Sequence, residues 1–236
     1  MKPYILVYSD SVRYAVDKGN TVGRERLAHA LTNVQEEVLI GSLLGDARLE
    51  CRSTHGTARL RIHHAESQRD YLWWKYEVFR PLAGRAPWRI EWFDRRTRKK
   101  YAAWFFHSLT LPVFGPYHQL FYPRQKKKLP AKIVSLLTPR VLAVWLMDDG
   151  CQFGGSFILN TQSFDLSEQH ELQRVFQERF ALRARVQRDR RNFRLSFNRT
   201  ESLKFWDIVR PHVIPSMQRK ILPVTTDPEP AHHRQG

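Results

Sequence analysis

Two stretches of the chain pair an apolar run at helical spacing with an acidic end. Residues 31–47 read LTNVQEEVLIGSLLGDA, and residues 136–150 read LLTPRVLAVWLMDDG. A start signal opens each one, since Thr32 stands three positions before a glutamine and Thr138 directly before a proline. Both stretches are therefore predicted to be helices, with Gly150 as a left-handed stop residue. Each ends on aspartate, in the unfavourable half of the helix dipole, so something must compensate these charges.

The segments that follow these two helices also resemble each other. Residues 57–79 and 155–176 each predict a strand, a polar turn and an amphipathic helix. Residues 88–106 and 184–198 each predict two strands joined by a basic turn, and an apolar-aromatic segment closes both halves. The chain is therefore predicted to be α+β, with two pseudo-symmetric αββαββα repeats.

This duplication sets the predicted domain boundaries. The first repeat is expected to span residues 31–130 and the second residues 131–223. Residues 1–30 form an extension ahead of the first repeat, and residues 224–236 are expected to be a flexible tail because they are rich in proline and polar residues. A unit of about 100 residues is small enough to need a partner for its core.

Composition narrows the class of partner. The formal net charge of +16 and a pI near 10.3 favour a polyanionic ligand, nucleic acid before a membrane surface. The two cysteines, Cys51 and Cys151, argue for a reducing compartment and against a disulfide framework. No apolar run is long enough to cross a bilayer and the N-terminus lacks a secretory pattern, so the protein is expected to be soluble with no membrane partner.

The two acidic helices carry a family resemblance. LIGSLLGDA at residues 39–47 and LAVWLMDDG at residues 142–150 match the nine-letter pattern of the LAGLIDADG homing endonucleases, with Asp46 and Asp149 at the same position. The chain resembles the single-chain, two-repeat, intron-encoded members of that family over residues 31–223.

The resemblance implies a fold and a metal site. The two motif helices would pack side by side between the halves, beneath a saddle of two antiparallel sheets. Trp145 departs from the small residues usual in this motif, and it allows close helix contact only if it points away from the partner helix. Asp46 and Asp149, with the backbone oxygens of Ala47 and Gly150, would hold Mg²⁺ at one shared site. Oxygen donors of this kind suit that ion.

The resemblance also implies an activity. It predicts a monomeric, Mg²⁺-dependent DNA endonuclease that makes a double-strand break in a long, non-palindromic duplex target. The alternative is an intron maturase with the same fold, which would bind intron RNA without hydrolysis. In either case the compartment would be the one that holds the host intron, such as a mitochondrion or chloroplast.

A lysine near the end of each repeat is a candidate for the same site. PRQKKKLP at residues 123–130 matches PSMQRKILP at residues 215–223, and Lys128 and Lys220 each stand five residues after a proline. We predict a catalytic role for both, with phosphate contacts as the alternative. The choice of Lys128 within its lysine run rests on this match alone. Asp148 is left out of the catalytic set, because successive helical residues point about 100° apart.

Two predicted strands offer hydrogen-bond donors on one face, since polar and apolar positions alternate along both. Antiparallel ribbons fit the major groove of DNA, and arginine makes bidentate contacts to guanine. We therefore predict that these faces read DNA, although a solvated sheet face would show the same pattern. The predicted DNA-binding residues are Arg59, Arg61, His63, Arg183, Arg185 and Gln187.

Two further clusters have ordinary explanations. The pairs His63–His64 and His232–His233 lack zinc-site spacing with the cysteines and are predicted to be polar surface. The aromatic run YLWWKYEVF at residues 71–79 could stack nucleobases, but its helical spacing predicts a core helix.

Overall fold

The computed structural model describes residues 30–51, 56–153 and 155–221. Two repeats of the same element order lie within these residues. The first consists of α1 (Asn33–Leu44), β1 (Arg48–Glu50), β2 (Ala58–Ala65), α2 (Arg69–Phe79), β3 (Trp88–Asp94), β4 (Lys99–Leu111) and α3 (Gly115–Phe121).

A short helix that the sequence pattern did not predict, α4 (Ile133–Leu136), leads into the second repeat. That repeat consists of α5 (Pro139–Asp149), β5 (Gly150–Phe153), β6 (Ser156–Leu159), α6 (Leu166–Phe180), β7 (Arg185–Asp189), β8 (Asn192–Phe197) and α7 (Arg199–Val209). The predicted αββαββα order is confirmed in both halves.

Each repeat contributes one antiparallel sheet of four strands. The strand order is β1-β2-β4-β3 in the first sheet and β5-β6-β8-β7 in the second, so the topology is the same. Every strand pair is antiparallel, and each sheet has the pair β1–β2 or β5–β6 at one edge and the hairpin β3–β4 or β7–β8 at the other. The α+β prediction is therefore confirmed.

The two motif helices touch directly. A Cβ added to Gly41 of α1 would lie 2.6 Å from Val144 Cβ and 2.7 Å from the Val141 carbonyl oxygen, so a glycine permits this contact. Trp145 meets the condition for close contact, because it points away from α1 and its ring stacks on Phe176 at 6.3 Å in the core of the second repeat. Close helix packing and a large motif residue are thus compatible.

The ends of these helices follow the prediction only in part. Both threonine caps form, with the Thr32 and Thr138 side chains accepting backbone N–H groups at 3.2 Å. Helix α1 ends at Leu44, before its aspartate. The left-handed stop predicted at Gly150 is wrong, since that residue has φ −74° and begins β5. Its glycine is needed for another reason: a Cβ there would lie 2.5 Å from the Leu146 carbonyl oxygen.

Helix α2 lies in the core, which confirms the core interpretation of the aromatic run. Tyr71, Leu72 and Phe79 are completely buried, and Val78 is nearly so. In the described part of the chain, no helix is long and apolar enough to cross a bilayer.

The predicted boundary after residue 130 lies in the irregular connection between Gln125 and Ile133, and the division into two domains stays a proposal. The predicted tail, His232 and His233, and the N-terminal extension up to residue 29 lie outside the described residues.

The contact at Gly41 predicts a specific loss of stability. Gly41→Ala should lower the free energy of unfolding by about 1–3 kcal/mol, because the added methyl overlaps the backbone of α5. The matched control is Gly84→Ala, whose Cβ would lie 3.6 Å from Leu109 and should change stability by less than about 0.5 kcal/mol. Urea denaturation measures both. A Gly41→Ala variant as stable as the control would contradict this packing.

Candidate active site

The ends of the two motif helices bring two carboxylates together. Asp149 is the last residue of α5, and its carbonyl oxygen accepts hydrogen bonds from the Asn160 backbone N–H at 3.1 Å and Nδ2 at 2.9 Å. Asp46 lies in the turn after α1, and its backbone N–H donates to Asp148 Oδ2 at 3.2 Å. The charge of Asp46 contributes to a raised pKa at Asp149, as expected for two carboxylates within electrostatic range of each other.

Burial and mutual repulsion make this pair receptive to a cation. Burial, then the charges of Asp46 and Asp148, raise the pKa of Asp149 to about 7. Burial and the Asp148 carboxylate likewise raise the pKa of Asp46. Desolvated like charges take up protons unless a cation neutralises them, and carboxylate oxygens are preferred ligands of Mg²⁺. The pair therefore fits a divalent ion, and Ala47 and Gly150 directly follow its two members.

Two partly buried lysines cap the same helices. Lys127 Nζ donates to the carbonyl oxygens of Leu44 and Gly45 at 3.0 and 2.9 Å, and Lys220 Nζ donates to the Asp148 carbonyl oxygen at 2.9 Å. Cations stabilise helix C-termini and satisfy carbonyl groups that have no helical partner. Burial lowers the pKa of both ammonium groups, and the nearby aspartates oppose that effect. These lysines supply the compensation that two acidic helix ends require.

The structure does not bring the predicted Lys128 to the carboxylates. Its ammonium pairs instead with Asp165 at 2.6 Å and lies 3.6 Å from Glu168, both in the second repeat. Lys127, and not Lys128, is the lysine beside the acidic end of α1. Lys220 lies beside the acidic end of α5, as the sequence match predicted.

A difference in turn length explains the one-residue error. The helical turn ahead of the first lysine covers residues 123–125, whereas the corresponding turn of the second repeat covers residues 215–220. Counting forward from Pro123 and Pro215 therefore matches residues that are not structurally equivalent. Counting back three residues from the proline that closes each run gives Lys127 and Lys220, and this signal was present in the sequence.

Asp148, which was left out of the predicted set, lies at the centre of a buried ionic cluster. Its carboxylate accepts hydrogen bonds from Lys75 Nζ at 2.7 and 3.0 Å, and both side chains are completely buried. Burial alone would raise the pKa of Asp148, but the Lys75 ammonium holds it below the usual value. The Lys75 ammonium also lies 4.5 Å from the ring centre of Tyr71. Because Asp148 accepts the Asp46 amide, it is a positioning residue for that aspartate.

The surface prediction is wrong for His64, which is only 2% exposed. Its Nδ1 lies 3.8 Å from Asp46 Oδ2, and its Nε2 lies 3.8 Å from Asp148 Oδ1. Burial, then the charge of Lys75, lowers the pKa of His64 to about 3, so the ring is neutral at pH 7. These three residues have the spacing of metal ligands, but Lys75 already neutralises Asp148. A cation is therefore better matched to the more exposed pair, Asp46 and Asp149.

The ionic cluster breaks the symmetry of the two repeats. When helices α2 and α6 are matched at their shared Val-Phe pair, Leu172 stands where the first repeat has Lys75. Gly45 likewise stands where the second repeat has Asp148, and a Cβ on Gly45 would lie 2.5 Å from Asp148 Cβ. A glycine therefore makes room for the buried acid, and the two ends of the helix pair differ chemically.

The predicted binding face of the first sheet is open. Arg59, Arg61 and His63 lie on the exposed side of β2, while the intervening side chains are buried. Glu50 on the neighbouring strand pairs with Arg59 at 2.6 Å and with Arg61 at 3.0 Å. The hydrogen bond from Arg59, followed by that from Arg61, lowers the pKa of Glu50 to about 2. These ion pairs hold both guanidinium groups in place on the sheet.

The second sheet presents the corresponding face from its edge hairpin. Arg185 and Gln187 are exposed on β7, opposite Ser196 and Arg194 of β8. Arg183 is also exposed, but it precedes the strand. Two of the three predicted residues, Arg185 and Gln187, therefore lie within a strand and alternate as expected.

Comparison with known proteins identifies the family. A sequence profile of the LAGLIDADG DNA endonuclease family matches residues 36–205. The match covers most of the chain, and the chain belongs to this family. The family predicted from the two acidic helices, and the DNA-endonuclease class that it defines, are confirmed.

Individual relatives agree with this assignment. The chain is 29% identical over 209 residues to DNA endonuclease I-ChuI of Chlamydomonas applanata, which covers 81% of this chain and 96% of the relative. It is 29% identical over 198 residues to cytochrome b mRNA maturase bI2 of Debaryomyces hansenii, covering 78% and 72% of the two chains. The solved structure of homing endonuclease I-WcaI bound to its DNA recognition sequence matches with a TM-score of 0.81 at 22% identity, over 88% of this chain and 95% of that one. This last match confirms the fold.

The raised pKa of Asp149 predicts how stability depends on pH. Without divalent cations, the contribution of Asp149 to the free energy of unfolding should fall as pH rises from about 4 to about 7, because folded Asp149 holds its proton more tightly than the unfolded chain does, whereas the contribution of buried His64 should rise over much of the same range. The slope from Asp149 is at most about 1.4 kcal/mol per pH unit. Asp149→Asn should remove this component in a urea denaturation series. Parallel curves for the two proteins would contradict the assignment.

The buried cluster makes a second prediction. Lys75→Leu, which installs the residue of the second repeat, should lower the free energy of unfolding by about 3–5 kcal/mol, because Asp148 then stays buried without a counterion. Adding Asp148→Ala should recover at least half of that loss. Lys204→Leu, at a half-exposed lysine, is the control with little effect. If the double variant is less stable than Lys75→Leu alone, the desolvation argument fails.

Proposed function

We propose that this chain is a site-specific homing endonuclease that hydrolyses both strands of a DNA duplex. The observation that carries the proposal is the meeting of Asp46 and Asp149 at the ends of two touching helices, each capped by a lysine. A purely binding surface gains nothing from acids that face phosphates. The relative named DNA endonuclease I-ChuI supports the same substrate class.

The two aspartates are proposed to hold divalent cations. Mg²⁺ suits the oxygen donors of Asp46 and Asp149, with the backbone oxygens of Ala47 and Gly150 as further donors. When bound, the ions would lower the pKa of an attacking water and neutralise charge on the scissile phosphates. The chain's own task is orientation, which hydrogen bonds to the backbone of each aspartate perform.

The lysines have a distinct proposed role. Lys127 and Lys220 are held by helix carbonyl oxygens, so each ammonium is fixed before a substrate arrives. A preorganised cation beside a reacting phosphate stabilises the charge that develops there. Lys128, which is engaged by Asp165, is proposed to have no such role.

Recognition is assigned to the two open sheet faces. Their residues differ, so one chain can read a non-palindromic duplex without forming a symmetric dimer. We therefore propose a monomer in which repeats 31–130 and 131–223 each bind one half of the target through the arginine, histidine and glutamine side chains described above. The charge of +16 predicts binding that weakens steeply with salt.

A maturase is the second candidate, because the chain is also similar to cytochrome b mRNA maturase bI2. In that case the basic sheets would bind intron RNA. Both candidates imply an intron-encoded protein that acts in the compartment of its host intron. They differ in activity, because only the endonuclease would cleave a DNA duplex.

The test of the proposed function compares aspartate variants on duplexes selected from a randomised library for cleavage in Mg²⁺. Asp46→Asn and Asp149→Asn keep the size of each side chain but remove a charged ligand, so the rate of double-strand cleavage should fall at least 100-fold. Binding in Ca²⁺ should be retained, because the sheets are unchanged. If wild type cleaves no duplex of the library but binds its intron RNA tightly, the chain is a maturase.

A neighbouring pair of lysines tests the assignment of the cationic role. Lys127→Met should slow cleavage by about 100-fold or more with little change in DNA affinity, because the lost interaction acts on charge that develops in the transition state. Lys128→Met is the matched control and should leave the cleavage rate within about threefold. Single-turnover cleavage and gel-shift assays give the two quantities. The opposite order of effects would restore the assignment made from sequence.

A further inference from the structure

An apolar strip crosses the open face of the first sheet. Paired residues on neighbouring strands point to the same face of the sheet. His63 is on the open face and pairs with Phe105, so Phe105, every second residue from it along β4, and their partners on β3 also lie on the open face. His63 also stacks on Phe105 at 5.3 Å between ring centres. We define the aromatic strip as Trp88, Ile90, Trp92, Tyr101 and Phe105.

The strip is both exposed and ordered by internal stacking. Ile90, Trp92 and Tyr101 are 41%, 47% and 39% exposed, which is unusual for side chains of this size. Trp92 stacks on Tyr101 at 5.9 Å, and Trp88 stacks on Phe105 at 6.0 Å. Contiguous exposed apolar surface of this kind marks a binding site more often than chance.

The position of the strip indicates which ligand it binds. It begins at Phe105, which stacks on His63 of the arginine-bearing strand β2, and it runs to the basic turn at residues 95–100. It is therefore continuous with the face proposed to bind DNA and is flanked by positive charge at its outer end. From Phe105 to Tyr101 the strand rises roughly 13 Å, which corresponds to about four base pairs.

The second sheet has different chemistry at the equivalent place. The open face of its hairpin carries Arg185 and Gln187 opposite Ser196 and Arg194, all of them polar. Polar side chains read the hydrogen-bonding edges of bases, whereas apolar side chains in the major groove contact the methyl group of thymine. The two sheets are therefore suited to recognise different bases.

We propose that the aromatic strip reads thymine methyl groups in the half-site bound by the first repeat. This inference rests on the proposed function, since it requires a DNA duplex on the sheet. Uracil lacks that methyl group, and the major groove of A-form RNA is too narrow for a ribbon. The strip therefore favours DNA over RNA as well as thymine over cytosine.

The test uses the full chain and a cleavable duplex selected from a randomised library. Thymines are replaced by deoxyuridine in one half of the duplex or in the other, and affinity is measured in Ca²⁺. In one half of the duplex, deoxyuridine should weaken binding by about fourfold for each buried methyl group that is removed. The other half should change by less than twofold.

Variants tie the response to the strip. Ile90→Thr and Trp92→Thr keep good strand formers at exposed positions, and each should reduce or abolish the difference between thymine and deoxyuridine duplexes. Phe93→Thr is the matched control, because Phe93 is 55% exposed on the other face of the same strand and should leave that difference intact. Affinity for the deoxyuridine duplex equal to that of wild type verifies that each variant folds, because no methyl contact is available there to lose.

Two outcomes would overturn the proposal. Equal affinity of wild type for thymine and deoxyuridine duplexes would show that no methyl group is read, and a response unchanged in both strip variants would assign it elsewhere. Cleavage of the parent duplex in the same preparations separates these failures from failure of the proposed function.

Discussion

Two carboxylates repel each other at the C-terminal ends of two touching helices, and the groups around them offset that repulsion. Asp46 and Asp149 lie where the helix dipoles disfavour negative charge, and burial adds a second penalty. Lys127 and Lys220 bind the carbonyl oxygens of the same helix ends and offset part of that cost. The remaining charge is what makes the site a place for divalent cations.

Small residues make this arrangement sterically possible. Gly41 lets α1 approach the backbone of α5, and Gly45 leaves space for the Asp148 side chain. Asp148 in turn holds the amide of Asp46 and is neutralised by Lys75. The first end of the helix pair is thus supported by a buried ionic cluster, whereas leucine stands at the lysine position in the second repeat.

The asymmetry extends from the buried cluster to the binding faces. One sheet presents an aromatic strip with two arginines held by Glu50, and the other presents arginine and glutamine on its hairpin. A fold built from two similar repeats therefore carries two different recognition surfaces around one site. A protein of this design does not need a symmetric target.

Sequence pattern predicted the parts of the molecule that depend on local periodicity. The two αββαββα repeats, the threonine caps of α1 and α5, and the exposed arginines of β2 follow from helical and strand spacing within one element. The resemblance supplied the acidic pair.

The remainder depends on contacts between distant segments. Lys75 and Asp148 are 73 positions apart, and a buried lysine on an amphipathic helix has the same local pattern as a solvated one. His64 was misplaced for the same reason, since its burial results from the helix that packs over β2. The sequence match selected Lys128, whose ammonium lies away from the carboxylates, because the turns ahead of the two lysines differ in length.

The coupling of the two aspartates is tested most directly by carboxyl ¹³C NMR of the protein without divalent cations. We expect Asp149 to titrate near pH 7 in wild type, and its pKa to fall in Asp46→Asn because one of the charges that raises it is gone. An Asp149 resonance that titrates near pH 4 in both proteins would contradict the claim that the two helix ends form one shared site.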